Sequence, residues 1–242
     1  MPAFTPSAAA SGALQPDLQA VFWDMDGTLV DTEPYWIEAE SELVASFGGA
    51  WSDELGLKLV GNALETSAAV LQQAGVDLSI RDIIDQLIDA VTDRVRQSIP
   101  WRPGARELVA ELLEARIPTV LVTMSETKLA TEVVRALPEG SFQHLVTGDM
   151  VRQGKPHPEP YQRAFDWLSD RLPDADKRYV VALEDSVPGV ASAEAAGLLT
   201  VAIPHVVPVP RAPGRPHWDS LAGKSVSDLE RLLVSASQEA GV

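Results

Sequence analysis

Cysteine is absent from the 242 residues, which removes a disulfide framework, a thiolate zinc site and a cysteine nucleophile together. The absence also agrees with a reducing compartment. Positive charge is scarce. The 19 Lys and Arg residues stand against 35 Asp and Glu, a formal net charge of -16, which argues against nonspecific attraction to nucleic acid or anionic lipid. Such a chain still binds anions locally and recruits divalent cations. Long apolar runs are missing too: Thr119 to Met124 and Leu198 to Ile203 stop far short of the roughly 18 residues of a membrane span. Met1 to Pro16 carries no charged side chain and so lacks the basic region of a signal peptide. Residues 1–17 read as a frayed tail, and the protein as cytoplasmic and a monomer or weak homo-oligomer.

What is present suits a packed globular body: 45% of the residues are hydrophobic and 22% charged. Leu18 to Trp23 is a short apolar run that opens into the polar, Gly-containing Asp24-Met25-Asp26-Gly27-Thr28. Thr119 to Thr123, Gln143 to Thr147, Tyr179 to Leu183 and Leu198 to Ile203 repeat the pattern, as strands covered on both faces do. Helical periods separate them: Leu108 and Leu112, Leu129 and Val133, then Tyr161, Phe165 and Leu168. An Ala-rich helix, Ser186 to Ala196, ends at Gly197, a residue suited to a left-handed stop. A last helix starts near Ser227. This alternation predicts an α/β fold, a parallel sheet wrapped by helices.

One connection is too long. Asp24 and Thr123 are 99 positions apart, whereas a strand-helix-strand crossover needs about 30 residues. The insert, residues 33–100, is helical throughout in pattern. It places Trp36, Leu43 and Phe47 on one face, and Ile80, Ile83, Ile84, Leu87, Ile88, Val91 and Val95 on another behind a Ser79/Asp82 capping box. The expected division is a core domain of residues 18–32 and 101–242 with an inserted helical bundle between them. Pro34, Pro100 and Pro103-Gly104 mark the two linkers, which together can act as a hinge. Pro204 to Pro216 reads as a surface loop.

Open parallel sheets bind ligands beyond the carboxyl ends of their strands. Asp24 and Asp26 end the first strand, Thr123 and Ser125 the second, Glu184 and Asp185 the fourth, and Gly154-Lys155-Pro156 follows the third. Taken singly, each pattern also suits a turn, a loop or a helix cap; their succession at consecutive strand ends points to one site. Acidic groups converging at one rim repel unless a cation joins them, and magnesium prefers such all-oxygen ligation. Thr123 and the amides of a helix led by Ser125 form an anion seat, with Lys155 as the opposing charge. These are the parts of a phosphoryl-transfer site.

Asp24-Met25-Asp26-Gly27-Thr28, Thr123, Gly154-Lys155-Pro156 and Leu183-Glu184-Asp185-Ser186 resemble the four motifs of the haloacid dehalogenase superfamily, over nearly the whole chain after the tail. The position of the insert resembles the branch of phosphoglycolate phosphatases and β-phosphoglucomutases, whose Rossmann-like core carries an α-helical cap between the first two motifs. The resemblance implies a Mg2+-dependent phosphatase of a small phosphorylated metabolite. Asp24 would be the nucleophile, forming an aspartyl-phosphate, and a metal ligand, ionised at an ordinary Asp pKa of about 3.9. Asp26 would serve as acid and base and bind metal through its main-chain carbonyl. Thr123 and the Met124 N–H would hold phosphoryl oxygens, Lys155 would balance charge, Asp185 would bind metal, and Glu184 would support it.

Within that family Asp26 argues against dehalogenation, since a halide leaving group needs no proton. The first cap lysine, Lys58, lies too far along for a phosphonatase Schiff base. A β-phosphoglucomutase-type mutase is the rival in the same class, but the positions matching its cap His and Arg are Trp36 and Leu64, so a two-phosphate substrate is disfavoured. A non-catalytic binding protein is the rival from another class; it has no need of Asp26. The insert carries 12 acidic residues and four basic ones. Either the leaving group is neutral or cationic, or these charges only solvate the outer helix faces. Trp36 and Trp51 are candidates for an aromatic wall over the substrate or for core, and His157 and His205 receive no role.

Overall fold

A computed structural model describes residues 18–59 and 63–239; the tail expected at residues 1–17 lies outside the described residues. Five strands, β1 (Ala20–Trp23), β2 (Thr119–Val122), β3 (His144–Val146), β4 (Val180–Glu184) and β5 (Leu199–Ala202), form one sheet of order β3-β2-β1-β4-β5. Every neighbouring pair is parallel. The pleat sends alternate residues to opposite faces. Val21, Trp23, Leu121, Val181 and Leu183 join one buried cluster, while Ala20, Phe22, Val120, Val122, Val180 and Ala182 join another. Both faces are covered, which is why the strands read as continuous apolar runs.

Helices α5 (Ala105–Glu114), α6 (Thr127–Arg135) and α9 (Val226–Glu239) place Leu108, Leu129 and Leu229 in the first cluster; α7 (Glu159–Ser169) and α8 (Val187–Ala195) place Tyr161 and Ala193 in the second. Gly197 follows α8 at φ +84°, the left-handed stop its position predicted. Among the described residues no helix is long and apolar enough to cross a membrane.

Between β1 and β2 lie α1 (Glu33–Ser46), α2 (Asp53–Leu57), α3 (Leu64–Gln73) and α4 (Ile80–Gln97), the inserted bundle. Ser79 caps α4 by accepting from the Asp82 N–H at 3.1 Å, and Arg94 and Arg96 occupy the last turn, where cations suit the helix dipole. Ile83, Ile84, Leu87, Ile88, Val91 and Val95 are buried, each worth about 1.5–3 kcal/mol in transfer free energy. Two members of the expected apolar faces are not buried: Ile80 sits 36% exposed at the first position of α4, and Phe47 lies 40% exposed just past the end of α1, where the helical register that would turn it inward has stopped.

The two linkers pair with each other: Val30 bridges Trp101, and the Asp31 N–H donates to the Pro100 carbonyl at 2.7 Å. His205 is drawn to the paired linkers, its Nε2 2.8 Å from Asp31 Oδ1. Arg81 of α4 reaches Glu126, Arg96 reaches Glu132 and Lys128 reaches Asp89, so ion pairs tie the bundle to the loop and helix that follow β2. The bundle thereby lies over the carboxyl ends of the strands. The stretch from Pro204 to Pro216 is irregular and docks on β5, the Ala202 N–H donating to the Pro216 carbonyl at 2.9 Å.

Candidate active site

The floor of the cleft is built where strands end. Asp24 follows β1, its N–H donating to the Leu183 carbonyl of β4 at 3.0 Å, so the sheet ladder continues into the site. Lys155 Nζ contacts Asp24 Oδ1 at 2.7 Å, Glu184 Oε1 at 2.6 Å and the Val122 carbonyl at 2.8 Å. The cis Lys155–Pro156 peptide stands in the loop that carries it. Burial pulls the Lys155 ammonium down, but Asp24 and Glu184 more than offset this and hold it above its ordinary pKa. Tyr161, anticipated only as an apolar position of a helix, donates its hydroxyl to Glu184 Oε1 at 2.5 Å, with the Lys155 ammonium 5.2 Å from its ring centroid. Glu184 is fully buried beneath the floor and is not among the residues lining the cleft.

Carboxylate oxygens of Asp24, Glu184 and Asp185 lie within 4.8 Å of one another, and Asp24 Oδ2 is buried without a hydrogen-bond partner among the described groups. Asp24 does not keep the ordinary acidity expected of it. Burial pushes it up to about 8 despite Lys155, and the negative charges of Glu184 and Asp26 add to the rise. Burial, then Asp24 and Glu184, likewise raise Asp185 well above the ordinary range. Carboxylates crowded this closely suit a hard divalent cation, which supplies the missing positive charge.

Two glycines allow this crowding. Gly27 has φ +89°, and a Cβ there would stand 2.0 Å from Asp185 Oδ2; a Cβ on Gly189 would stand 1.9 Å from Glu184 Oε2. Neither position has room for a side chain while the carboxylates stay in place.

Asp26 accepts from three hydroxyls: Ser125 Oγ at 2.8 Å and Thr123 Oγ1 at 3.0 Å on one oxygen, and Thr32 Oγ1 on the other. The anion seat differs from expectation here. The helix after β2 begins at Thr127, not Ser125, and the Thr127 N–H is already given to Asp149 Oδ1 at 3.0 Å. The Ser125 N–H donates to Thr123 Oγ1 at 3.0 Å. Thr123 is fully buried and turned toward Asp26, while Met124 and Ser125 line the cleft. Met124 is clamped from behind, its Sδ accepting from the Lys155 N–H at 3.2 Å.

The insert supplies the roof: Glu33, Trp36, Ile37 and Glu40 from one face of α1, with Gly56, Leu59, Leu64, Ser67 and Leu87. Trp36 is wall and core at once, 9% exposed; Trp51 is not in the wall, and packs half-buried against the hydrophobic core. Burial and then Asp26 push the Glu33 carboxyl up to about 8; burial pushes Glu40 up to about 7, against a lowering by the Trp51 indole. The acidic surplus of the insert therefore divides. Glu38 and Glu42 pair with Arg94 on the outer face, and Asp85, Asp89 and Asp93 also face solvent, whereas Glu33 and Glu40 face the cleft. Sequence reading missed these two because charges on an amphipathic helix default to the solvent side.

Residues 21–203 match the family of haloacid dehalogenase-like hydrolases. Over 186 residues the chain is 32% identical to a phosphorylated carbohydrates phosphatase of Thermotoga maritima, covering 75% of this chain and 82% of that one. It is 30% identical to hexitol phosphatase B of Escherichia coli (strain K12) over 88% of this chain and 93% of that protein. Among solved structures, CbbY from Rhodobacter sphaeroides in complex with phosphate superposes with a TM-score of 0.78 at 27% identity, over 88% of this chain and 99% of that one. The motifs at successive strand ends, the helical insertion over them and these relatives agree, and the chain belongs to the haloacid dehalogenase-like hydrolases, in the branch of phosphoglycolate phosphatase-like and β-phosphoglucomutase-like enzymes.

Proposed function

We propose that the protein is a Mg2+-dependent phosphatase of phosphorylated polyols or sugars that works through a covalent aspartyl-phosphate on Asp24. The observation that carries the mechanism is the asymmetry of Asp24, one oxygen held by Lys155 and the other without a partner. The free oxygen attacks phosphorus as the bond to the leaving oxygen breaks, and Asp26 gives that oxygen a proton. Asp26 then takes a proton from water, whose oxygen attacks phosphorus as the bond to the Asp24 carboxyl oxygen breaks, which frees the Asp24 carboxylate and inorganic phosphate. The Met124 N–H holds a phosphoryl oxygen, while Thr123 and Ser125, whose hydroxyls are given to Asp26, position that carboxylate rather than touching phosphate. Asp24, the Asp26 carbonyl and Asp185 hold the magnesium, whose charge neutralises the phosphoryl oxygens when it is bound. Glu184 fixes Lys155 from below. Residues 33–100 act as the cap that excludes water and selects the leaving group, hinged on the core of residues 18–32 and 101–242.

The substrate class rests on the roof of the cleft and on the relatives. Lys155 is the sole basic residue lining the cleft among the described residues, and two carboxyl groups face it from α1. A second phosphate on the leaving group has no counter-charge there, which argues against the mutase reading; Trp36 and Leu64 occupy the roof where a mutase needs a His and an Arg. The named relatives act on phosphorylated carbohydrates and hexitols.

Phosphate release from a panel of phosphorylated polyols, sugars, amino alcohols and bisphosphates, with Mg2+ and with EDTA, tests this reading. Mg2+-dependent release led by a polyol or sugar phosphate is the expected result, and a bisphosphate in first place would overturn the substrate class. Asp26→Asn is expected to slow alkyl phosphates more than a nitrophenyl phosphate, whose leaving group needs no proton; equal losses would remove Asp26 as the acid.

The raised carboxyls bring a second expected result. Asp24, Glu33 and Glu40 bind protons more tightly folded than unfolded, so their stabilising contribution is complete below about pH 4 and is lost as pH rises toward 7 to 8. In EDTA the melting temperature should fall between about pH 5.5 and pH 8 on their account. Magnesium should raise it more at the upper pH, where Asp24 must otherwise ionise unaided. Equal magnesium shifts at both pH values would count against ligation by Asp24.

A further inference from the structure

The roof of the cleft holds a group that the phosphoryl chemistry does not use. Glu40 is 4% exposed and lines the cleft, and its Oε2 has no hydrogen-bond partner among the described groups. A buried carboxylate oxygen without a donor is costly, and native proteins seldom keep one without reason. The walls that line the cleft with it offer little relief. Ile37, Leu59, Leu64 and Leu87 are aliphatic, and Gly56 has no side chain at all; a Cβ there would meet Ile37 at 3.1 Å and Glu40 Oε2 at an ordinary contact of 3.4 Å. The Trp51 indole approaches this carboxyl closely enough to draw it down, but its N–H and Glu40 Oε2 both stay without a well-formed hydrogen bond, so an aligned donor must arrive with whatever fills the cleft.

Position decides which part of the ligand that is. Glu33 senses Asp26 and Asp24 at the floor, and Glu40 lies two helical turns further along α1, a rise of about 10 Å. A ligand with its phosphoryl group at Asp24 meets Glu40 at the far end of its leaving group. We infer that Glu40 is a specificity-determining residue, accepting a hydrogen bond from a hydroxyl remote from the phosphoryl group and so selecting phosphorylated polyhydroxyl compounds of several carbons. A carboxylate or second phosphate at that end would face a like charge. An ammonium would bring three donors to one orphan oxygen set among aliphatic side chains, whereas a hydroxyl brings one.

This inference rests on the phosphatase reading, and the experiment separates the two. The quantity to measure is the ratio of kcat/KM for a hexitol phosphate to that for a nitrophenyl phosphate, in the wild type, Glu40→Gln and Glu40→Met. Methionine keeps the length and removes the acceptor, so the ratio should fall about 10- to 100-fold. Glutamine keeps one accepting oxygen and should fall less; it also carries the test if the methionine variant does not fold. Equal loss on both substrates would make Glu40 structural and overturn the inference, as would an unchanged ratio or a larger loss with an amino-alcohol phosphate. If the wild type hydrolyses nothing, calorimetry of the hexitol phosphate with the Asp24→Asn protein decides, with and without Glu40→Met. Binding that weakens with Glu40→Met would keep Glu40 and discard the hydrolase; absent or indifferent binding would discard Glu40.

Discussion

Replacing Lys155 by Met is expected to destabilise the fold by about 3–5 kcal/mol near pH 8 and to abolish turnover, because it strands two buried carboxylates. The Lys155 and Asp24 side chains are 5% and 9% exposed, and that of Glu184 is fully buried, so water cannot replace the ammonium. The loss should depend on pH. Burial already pushes Asp24 up to about 8, and without Lys155 it must rise further, so the variant takes up protons on folding. Its stability is therefore expected to recover as pH is lowered from about 8 to 5.5, in contrast to a cavity mutation, whose cost is insensitive to pH. Urea unfolding at the two pH values measures both quantities. A loss below about 1 kcal/mol at the higher pH would show that the carboxylates find another partner and that Lys155 is not their counter-charge.

Asp24→Asn is expected to lower kcat by at least about 10³-fold while leaving the fold intact, since no other side chain in the cleft can replace the attacking oxygen. The stability expectation has the opposite sign from that for Lys155. Asp24 is raised by burial, so its ionised form is unfavourable, and Lys155 keeps Glu184 and the Val122 carbonyl after the substitution. The melting temperature of the variant in EDTA near pH 8 should equal or exceed that of the wild type. The two readouts together separate a lost nucleophile from a damaged site. Retention of more than a few percent of activity would remove Asp24 from the nucleophile role, and a marked fall in melting temperature would mean that the charge supports the fold.

Much of this was legible in the sequence because the relevant forces are local. A strand buried on both faces is apolar along most of its length, so all five strands are placed to within about two residues. A left-handed helix stop favours glycine, and Gly197 supplies it. The 99 positions between Asp24 and Thr123 exceed any simple crossover, so the helical insertion followed from arithmetic. The strand-end residues Asp24, Asp26, Lys155 and Asp185 do line one cleft.

Tertiary contact decided the rest. Ser125 reads as a helix start, yet its hydroxyl goes to Asp26 and its N–H to Thr123, and the helix waits until Thr127. Tyr161 carries no signal in its helical period that its hydroxyl will meet Glu184, 23 residues further along the chain. The acidity of Asp24 depends on burial, on Lys155 and on Glu184, groups that are neighbours only in space. Glu40 is the plainest case: periodicity assigns it to α1, but only the tertiary packing places a charged residue among aliphatic walls facing the cleft with an oxygen unanswered. The sequence by itself determined the strands, the insertion and the strand-end residues that line the cleft, because these follow from hydrophobic pattern, backbone chemistry and spacing. The protonation of the site and the character of its roof were decided by the tertiary structure alone, because desolvation and unpaired polar atoms exist only once distant segments exclude water together.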